Sequence, residues 1–354
     1  MSKRFIRYFG PIVAGLVLAI SLIGCAGGCF DKDEPTDTVD LNITNAQFNT
    51  ANFKQYASHM ELGIHDGTLY MWDEMSSKLS RFENGKFQKI FAIDGSGIGF
   101  CNGYFYYQTL KNQETYEYSI HSYRLGQGDH TILTTIDIGS FRDTYFLENG
   151  KICVPVEGDS SYYITIENAQ VIDQTLQPEI YSFGAWEYVR EGELSNINIV
   201  RYDADGNTYS YVEELPYGKK SMIPCDNGLL IHNETNGDFL YFIEAESGDV
   251  IELFTVDCIY AVSAVNVHDG YAYLSFVRYT KYGPLGIGGK QDENDALNGT
   301  YRISLTDYSV EKISDESYNG LFIFDDTGIY ACNEEGSIYK LDFDCQRITT
   351  VLEH

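Results

Sequence analysis

His65-Asp66-Gly67-Thr68-Leu69-Tyr70 joins a two-residue turn to the start of a strand, and the chain repeats the phrase. It returns as Cys101-Asn102-Gly103-Tyr104-Phe105-Tyr106, Glu148-Asn149-Gly150-Lys151-Ile152-Cys153 and Asp226-Asn227-Gly228-Leu229-Leu230-Ile231. His268-Asp269-Gly270-Tyr271-Ala272-Tyr273 and Asp326-Thr327-Gly328-Ile329-Tyr330 follow. Asn-Gly and Asp-Gly favour tight hairpins because both central residues take positive φ. The interval from Gly150 to Gly228 is double the others, so one unit has lost its glycine near Ala185-Trp186-Glu187-Tyr188. The chain then holds seven units averaging about 43.5 residues.

A second turn follows each first one: Glu83-Asn84-Gly85, Gly126-Gln127-Gly128-Asp129, Glu167-Asn168-Ala169, Asp203-Ala204-Asp205-Gly206, Glu246-Ser247-Gly248, Thr306-Asp307-Tyr308 and Phe343-Asp344-Cys345. Alternating runs flank them, such as Lys78–Phe82 with Phe87–Ile93, and Phe239–Ile243 with Val250–Val256. Each unit therefore reads as four short antiparallel strands. Four strands at this period are the signature of a β-propeller blade. The expected fold is all-β, a seven-bladed β-propeller over 41–354 with blades from about residue 60. Blade seven already has its four strands, ending at Ile348–Leu352, which leaves 41–58 outside the repeat.

The first 24 residues differ. Lys3, Arg4 and Arg7 precede an uncharged apolar run from Pro11 to Gly24, which has the order of a secretory signal and is short for a membrane span. It ends Leu22-Ile23-Gly24-Cys25. This resembles the lipobox of bacterial lipoproteins: Leu at −3, a small residue at −1 and Cys at +1. The resemblance implies cleavage before Cys25, lipid on its sulfur, and an extracytoplasmic protein anchored to a bacterial membrane. Residues 25–40, with Gly, Asp and Thr prominent, read as the lipidated cysteine and a flexible tether. The recurring phrases over about 60–354 are similar to a bacterial propeller family likened to the low-density-lipoprotein-receptor propeller (numbered five thousand and fifty among domains of unknown function). The receptor's own Tyr-Trp-Thr-Asp motif is absent, so its ligands do not carry over.

Composition narrows the partners. The chain has 52 Asp+Glu against 24 Lys+Arg, a net charge of −28. Such a surface repels nucleic-acid phosphates, so no nucleic-acid partner is expected. Hydrophobic residues at 44% are too many for a disordered chain. The seven histidines are scattered without metal-ligand spacing, and no metal or cofactor is expected. Gly286-Ile287-Gly288-Gly289-Lys290-Gln291 fails as a phosphate loop, because Gln follows the lysine and Pro284 stands where the first glycine belongs. Asp203-Ala204-Asp205-Gly206-Asn207 has its glycine too early for a calcium loop and reads better as a turn. The six cysteines of the repeat region read mostly as free core thiols, with Cys332–Cys345 the least improbable disulfide.

Two connections between second and third strands read as long, Thr109–Tyr118 and Arg278–Asn298. Long loops on one face suggest binding. The candidate ligand-binding residues are Tyr116, Tyr118, Arg278, Tyr279, Lys281, Tyr282, Asp292, Glu293 and Asp295, with Trp186 as a further aromatic platform or a core residue. Tyrosine beside carboxylate suits a sugar or peptide, whose apolar faces the ring covers. The expectation is a membrane-anchored propeller that binds a glycan, a peptide or an envelope protein. The alternatives are a glycan hydrolase or lyase using carboxylates at the channel mouth, or a structural scaffold of an envelope complex. No catalytic residue is assigned.

Overall fold

The computed structural model describes residues 60–112, 117–137, 145–147, 151–156, 162–175, 180–193, 196–217, 220–233, 239–255, 260–281, 289–291, 295–333 and 335–353. All lie in the unit Thr38–His354. The signal peptide assigned to 1–24, Cys25 with its tether to residue 40, and 41–58 lie outside the described residues.

Seven antiparallel sheets follow one another along the chain, over 60–92, 95–137, 145–175, 180–210, 220–254, 260–314 and 319–352. Each is a meander of consecutive strands, and no helix occurs among the described residues. Six sheets have four strands. The sixth departs from the expected four: Gly289–Gln291 adds a fifth by pairing with the far end of Tyr271–Lys281.

The turns fall where the sequence places them, with two differences. Asp66-Gly67, Asn102-Gly103 and Asp269-Gly270 all have positive φ at both positions, as does Asn84-Gly85 in a second turn. In the fourth unit the turn is Gly184-Ala185, joining Ile180–Phe183 to Trp186–Glu193. The glycine is therefore shifted by one place and not lost; Gly184 has φ of 62°. In the fifth and seventh units the turns are Asp226-Asn227 and Asp326-Thr327, and Gly228 and Gly328 open the next strands. A Cβ on Gly228 would lie 2.1 Å from the Ile243 carbonyl oxygen, so close backbone approach demands glycine there.

Successive side chains alternate between the two faces of a sheet, and inner strands such as Gly228–Asn233 and Gly328–Cys332 bury both, so successive sheets pack on one another. Among the described residues, Tyr70, Trp72 and Leu79 of the first sheet pack with Phe100, Phe105 and Tyr107 of the second. Ile98 and Ile120 of the second meet Ile152 and Ile164 of the third. Further clusters join the fourth to the fifth, the fifth to the sixth and the sixth to the seventh. The seventh then packs on the first: Tyr330, Cys332, Ile338 and Val351 lie against Leu62, Ile64, Leu69 and Met71. First strands lie side by side, Met60–His65 next to both Gly95–Cys101 and Asn319–Asp325. No sheet mixes strands from the two ends of the described chain.

Cys332 and Cys345 are both free and buried. Cys332 belongs to the cluster facing the first sheet and Cys345 to the one facing the sixth. Opposite sides of one sheet keep the two sulfurs apart, so the disulfide considered from sequence does not form. Burial pushes each thiol up to about 12, and both behave as small apolar core groups.

Candidate functional site

Antiparallel meanders put the connections on two ends. The first-to-second and third-to-fourth turns share one end of every sheet. The second-to-third loops and the links between sheets share the other, here called the loop end. The described ones among the predicted long-loop residues, Tyr118, Arg278, Tyr279, Lys281 and Asp295, belong to that end.

The structure places them as follows. Tyr104–Asn112 and Glu117–Arg124 extend well into the connection expected over Thr109–Tyr118, leaving 113–116. Tyr118 is a half-buried strand residue, opposite Leu110 on one side and Ile136 on the other. That connection is a long hairpin, because Thr109 and Leu110 continue the ladder. Arg278, Tyr279 and Lys281 lie on Tyr271–Lys281; Arg278 pairs with Tyr260, Tyr279 with Gln291 and Lys281 with Gly289. The sixth-unit insertion is thus partly a β-ribbon. Tyr116, Tyr282, Asp292 and Glu293 lie outside the described residues, as does Cys25.

Trp186 sits at the other end, beside the Gly184-Ala185 turn. Its ring is covered by Arg201, whose guanidinium carbon lies 3.5 Å from the ring centroid. It packs on the cluster between the fourth and fifth sheets. Of its two readings the core role is the one its surroundings match, since a guanidinium already occupies the stacking face. Asp203 accepts from the Asp205 and Asn207 backbone N–H groups at 2.9 and 2.8 Å, and from the Asn207 amide at 2.8 Å. These bonds hold its carboxylate well below the usual range. That segment is a hydrogen-bonded turn. Among the described residues no group of three His, Cys, Asp or Glu side chains is placed to hold a metal ion.

Asp295 anchors the base of the insertion. Its carboxylate accepts from the Leu297 N–H at 2.9 Å, and its carbonyl from the Asn298 N–H at 3.1 Å. The Tyr301 hydroxyl donates to the Leu297 carbonyl at 2.6 Å, and the Lys312 ammonium to that of Ala296 at 3.0 Å. Beside this base a cleft of about 260 Å³ opens between the sixth and seventh sheets. Asn298, Glu316, Tyr318, Asn333, Tyr339 and Arg347 line it.

The cleft is prearranged. Arg347 donates to both Glu316 carboxylate oxygens, at 3.2 and 3.0 Å, and its guanidinium carbon lies 3.9 Å from the Tyr339 ring centroid. The Tyr318 hydroxyl donates to Glu316 at 2.9 Å. Burial, then this bond, pushes the Tyr318 hydroxyl far above its ordinary range, so it stays a donor. The Asn333 amide donates to the Tyr339 hydroxyl at 3.3 Å. The Ser275 hydroxyl accepts from the Tyr318 N–H at 2.6 Å, tying the linker to the sixth sheet. Glu316 is spent on Arg347 and Tyr318, and Asp315 on Lys312. The arrangement offers aromatic faces, a stacked guanidinium and amide groups, which is chemistry for recognition. Asp295 does not line it but holds Asn298, which does. The lining was missed, because those residues look like ordinary strand and link residues until two sheets meet.

No protein-family model matches the chain, and no curated protein matches it. Solved structures do. The β-propeller domain of the Trilobed protease from Pyrococcus furiosus, described as having an open velcro topology, is similar at 10% identity and a TM-score of 0.52. The likeness covers 84% of this chain and 99% of that one. Puromycin hydrolase is similar at 10% identity and a TM-score of 0.50, over 90% of this chain and 57% of its own. This chain thus spans little more than half of the hydrolase. At such identities a likeness speaks for architecture alone, and together with the seven successive sheets it makes the chain a β-propeller protein.

Proposed function

We propose that this is a lipid-anchored, extracytoplasmic binding protein of a bacterial membrane, carrying a seven-bladed propeller as a rigid platform. Lipid on Cys25 is the anchor, and residues 25–40 are the tether. The loop end takes a glycan, a peptide or another envelope protein. The observation that carries the reading is the Tyr318–Tyr339–Arg347 cleft at the foot of the sixth-unit insertion, on the end where the sequence put its binding residues. Its carboxylates are already engaged, which favours binding over acid–base chemistry.

A glycan and peptide array probed with the full chain tests the platform, repeated with Tyr339→Ala and Arg347→Ala. The expected result is a ligand bound by the wild type and lost in both variants. No bound ligand lost in both variants, or none bound at all, would remove this cleft from the reading. Cys25→Ser is expected to move the protein from the membrane fraction to the soluble one; unchanged retention would overturn the anchor.

A further inference from the structure

A second cavity lies at the opposite, turn end. It holds about 410 Å³, within the roughly 300–1,000 Å³ usual for small-ligand sites. Three sheets build it: His65 comes from the first, Asn102, Tyr104, Arg124 and Gln127 from the second, and Asn168 from the third.

Its walls are fixed by hydrogen bonds between turns. The Leu125 N–H donates to the Gly103 carbonyl at 3.0 Å, locking the two turns of the second sheet together. The Gln127 and Gly128 N–H groups donate to the Arg124 carbonyl at 3.3 and 3.1 Å. The Asn102 side-chain amide donates to the Asn168 side-chain oxygen Oδ1 at 2.5 Å, joining the second sheet to the third. A Cβ on Gly103 would come within 2.8 Å of His65 Cε1, so glycine keeps this side open.

Arg124 gives the cavity its charge. Among the arginines with described side chains, Arg81 pairs with Glu83, Arg302 with Glu311 and Asp344, and Arg347 with Glu316. Arg201 is spent on backbone carbonyls. Arg124 is exposed and makes no such contact among the described residues. Among the arginines with described side chains, that is the exception. A guanidinium fork left open matches a carboxylate. Asp66, in the first turn of the first sheet, also borders the cavity and is exposed, with its carboxylate 3.4 Å from His65 Nε2.

The amides give it hydroxyl recognition. One bond between Asn102 and Asn168 leaves the Asn102 side-chain oxygen and the Asn168 NH₂ group outside it. Flipping both amides leaves the same complement. A hydroxyl, which donates and accepts at once, fits that pair. Gln127 repeats it, and Tyr104 supplies a half-buried aromatic wall for C–H faces.

We propose that this turn-end cavity binds an acidic carbohydrate, with Arg124 on a uronate carboxylate and Asn102, Asn168 and Gln127 on ring hydroxyls. The site is independent of the loop-end cleft. The test is titration calorimetry on the full chain with a trisaccharide ending in glucuronic acid and its counterpart ending in glucose. The wild type is expected to bind the acidic sugar roughly tenfold more tightly. Arg124→Ala abolishes that preference, and Arg124→Lys restores part of it through charge without the fork. Arg347→Ala, at the other end, leaves it intact. No binding of the acidic sugar, equal affinity for both sugars, or a preference that survives Arg124→Ala would overturn the proposal.

Discussion

The third residue after a first turn is a tyrosine in several units, and its hydroxyl works between sheets. Tyr70 meets the Gly126 backbone, and Tyr106 accepts from the Ala169 N–H at 3.1 Å. Tyr188 donates to the Ala245 carbonyl at 2.9 Å, and Tyr273 to that of Phe343 at 3.4 Å. Each reaches the third-to-fourth turn of the next sheet. Between the fourth and fifth sheets Arg201 strengthens the clasp, donating to the Ser247 and Glu246 carbonyls at 2.8 and 2.5 Å. Arg201→Ala is expected to cost about 2 kcal/mol, since it leaves half-buried carbonyls without their donor and uncovers Trp186. Tyr188→Phe is expected to cost about 1 kcal/mol. Denaturant midpoints check both, and an Arg201→Ala variant as stable as wild type would dismiss the clasp. Lys220 makes a pH-dependent contribution. It is buried opposite Asn233, and burial pushes its ammonium down to about 8 from 10.5. Between these values the unfolded chain binds the proton that the folded chain lacks, so this residue's contribution to stability rises with pH. Lys220→Met is expected to raise Tm at pH 7.5, with the gain shrinking toward pH 10.5. A gain that does not change with pH would contradict this.

At the scale of the strand and hairpin, the sixth-unit insertion divides into a ribbon and an anchored base. Lys281 and Gly289 are paired directly, so a two-residue Asn-Gly turn can join them. Replacing 282–288 by Asn-Gly is expected to leave Tm almost unchanged. A deletion carried on through Asn298 removes the Asp295 turn and the acceptors of Tyr301 and Lys312, and is expected to lower Tm clearly. Equal melting of the two variants would show that the base contributes nothing. The hairpins were legible because turn chemistry is local: Asn84-Gly85 needs positive φ whatever surrounds it. Tyr308 and Cys345 also take positive φ, at 62° and 56°, where glycine serves in the equivalent turns at Gly248 and Gly206. Their place was found from the flanking strands. The length of the Thr109–Tyr118 hairpin was not legible, since polar residues in an exposed ladder look like loop. The cleft and the Arg124 cavity were not legible either. Each is assembled from separate sheets, and whether an arginine finds a carboxylate is decided by which turns meet in space.

For the whole sheet array, the consequence lies in how the ends meet. The repeat phrases gave the number of units and their order, but not the manner of closure, which depends on contacts between the two ends of the repeat. Among the described residues an apolar cluster joins the seventh sheet to the first, with no strand shared between them. Elsewhere cross-sheet hydrogen bonds support the apolar contacts, as Asn227 does on the Leu305 carbonyl at 3.0 Å and Asn266 on that of Phe322 at 2.8 Å. The junction of last and first sheets therefore rests on packing, and packing is what a cavity weakens. Ile338 is fully buried in that cluster, and Ile338→Ala is expected to cost about 3 kcal/mol. Hydrogen exchange should locate the loss. Amides of Met60–His65 and Asn319–Asp325, on the two sides of the junction, are expected to exchange faster in the variant. Those of Tyr260–His268, in the sixth sheet, are expected to change less. Leu274→Ala, between the fifth and sixth sheets, serves as the control and should spare the junction. If both variants accelerate exchange uniformly around the array, the sheets unfold as one unit and the last-to-first junction is no weaker than the rest.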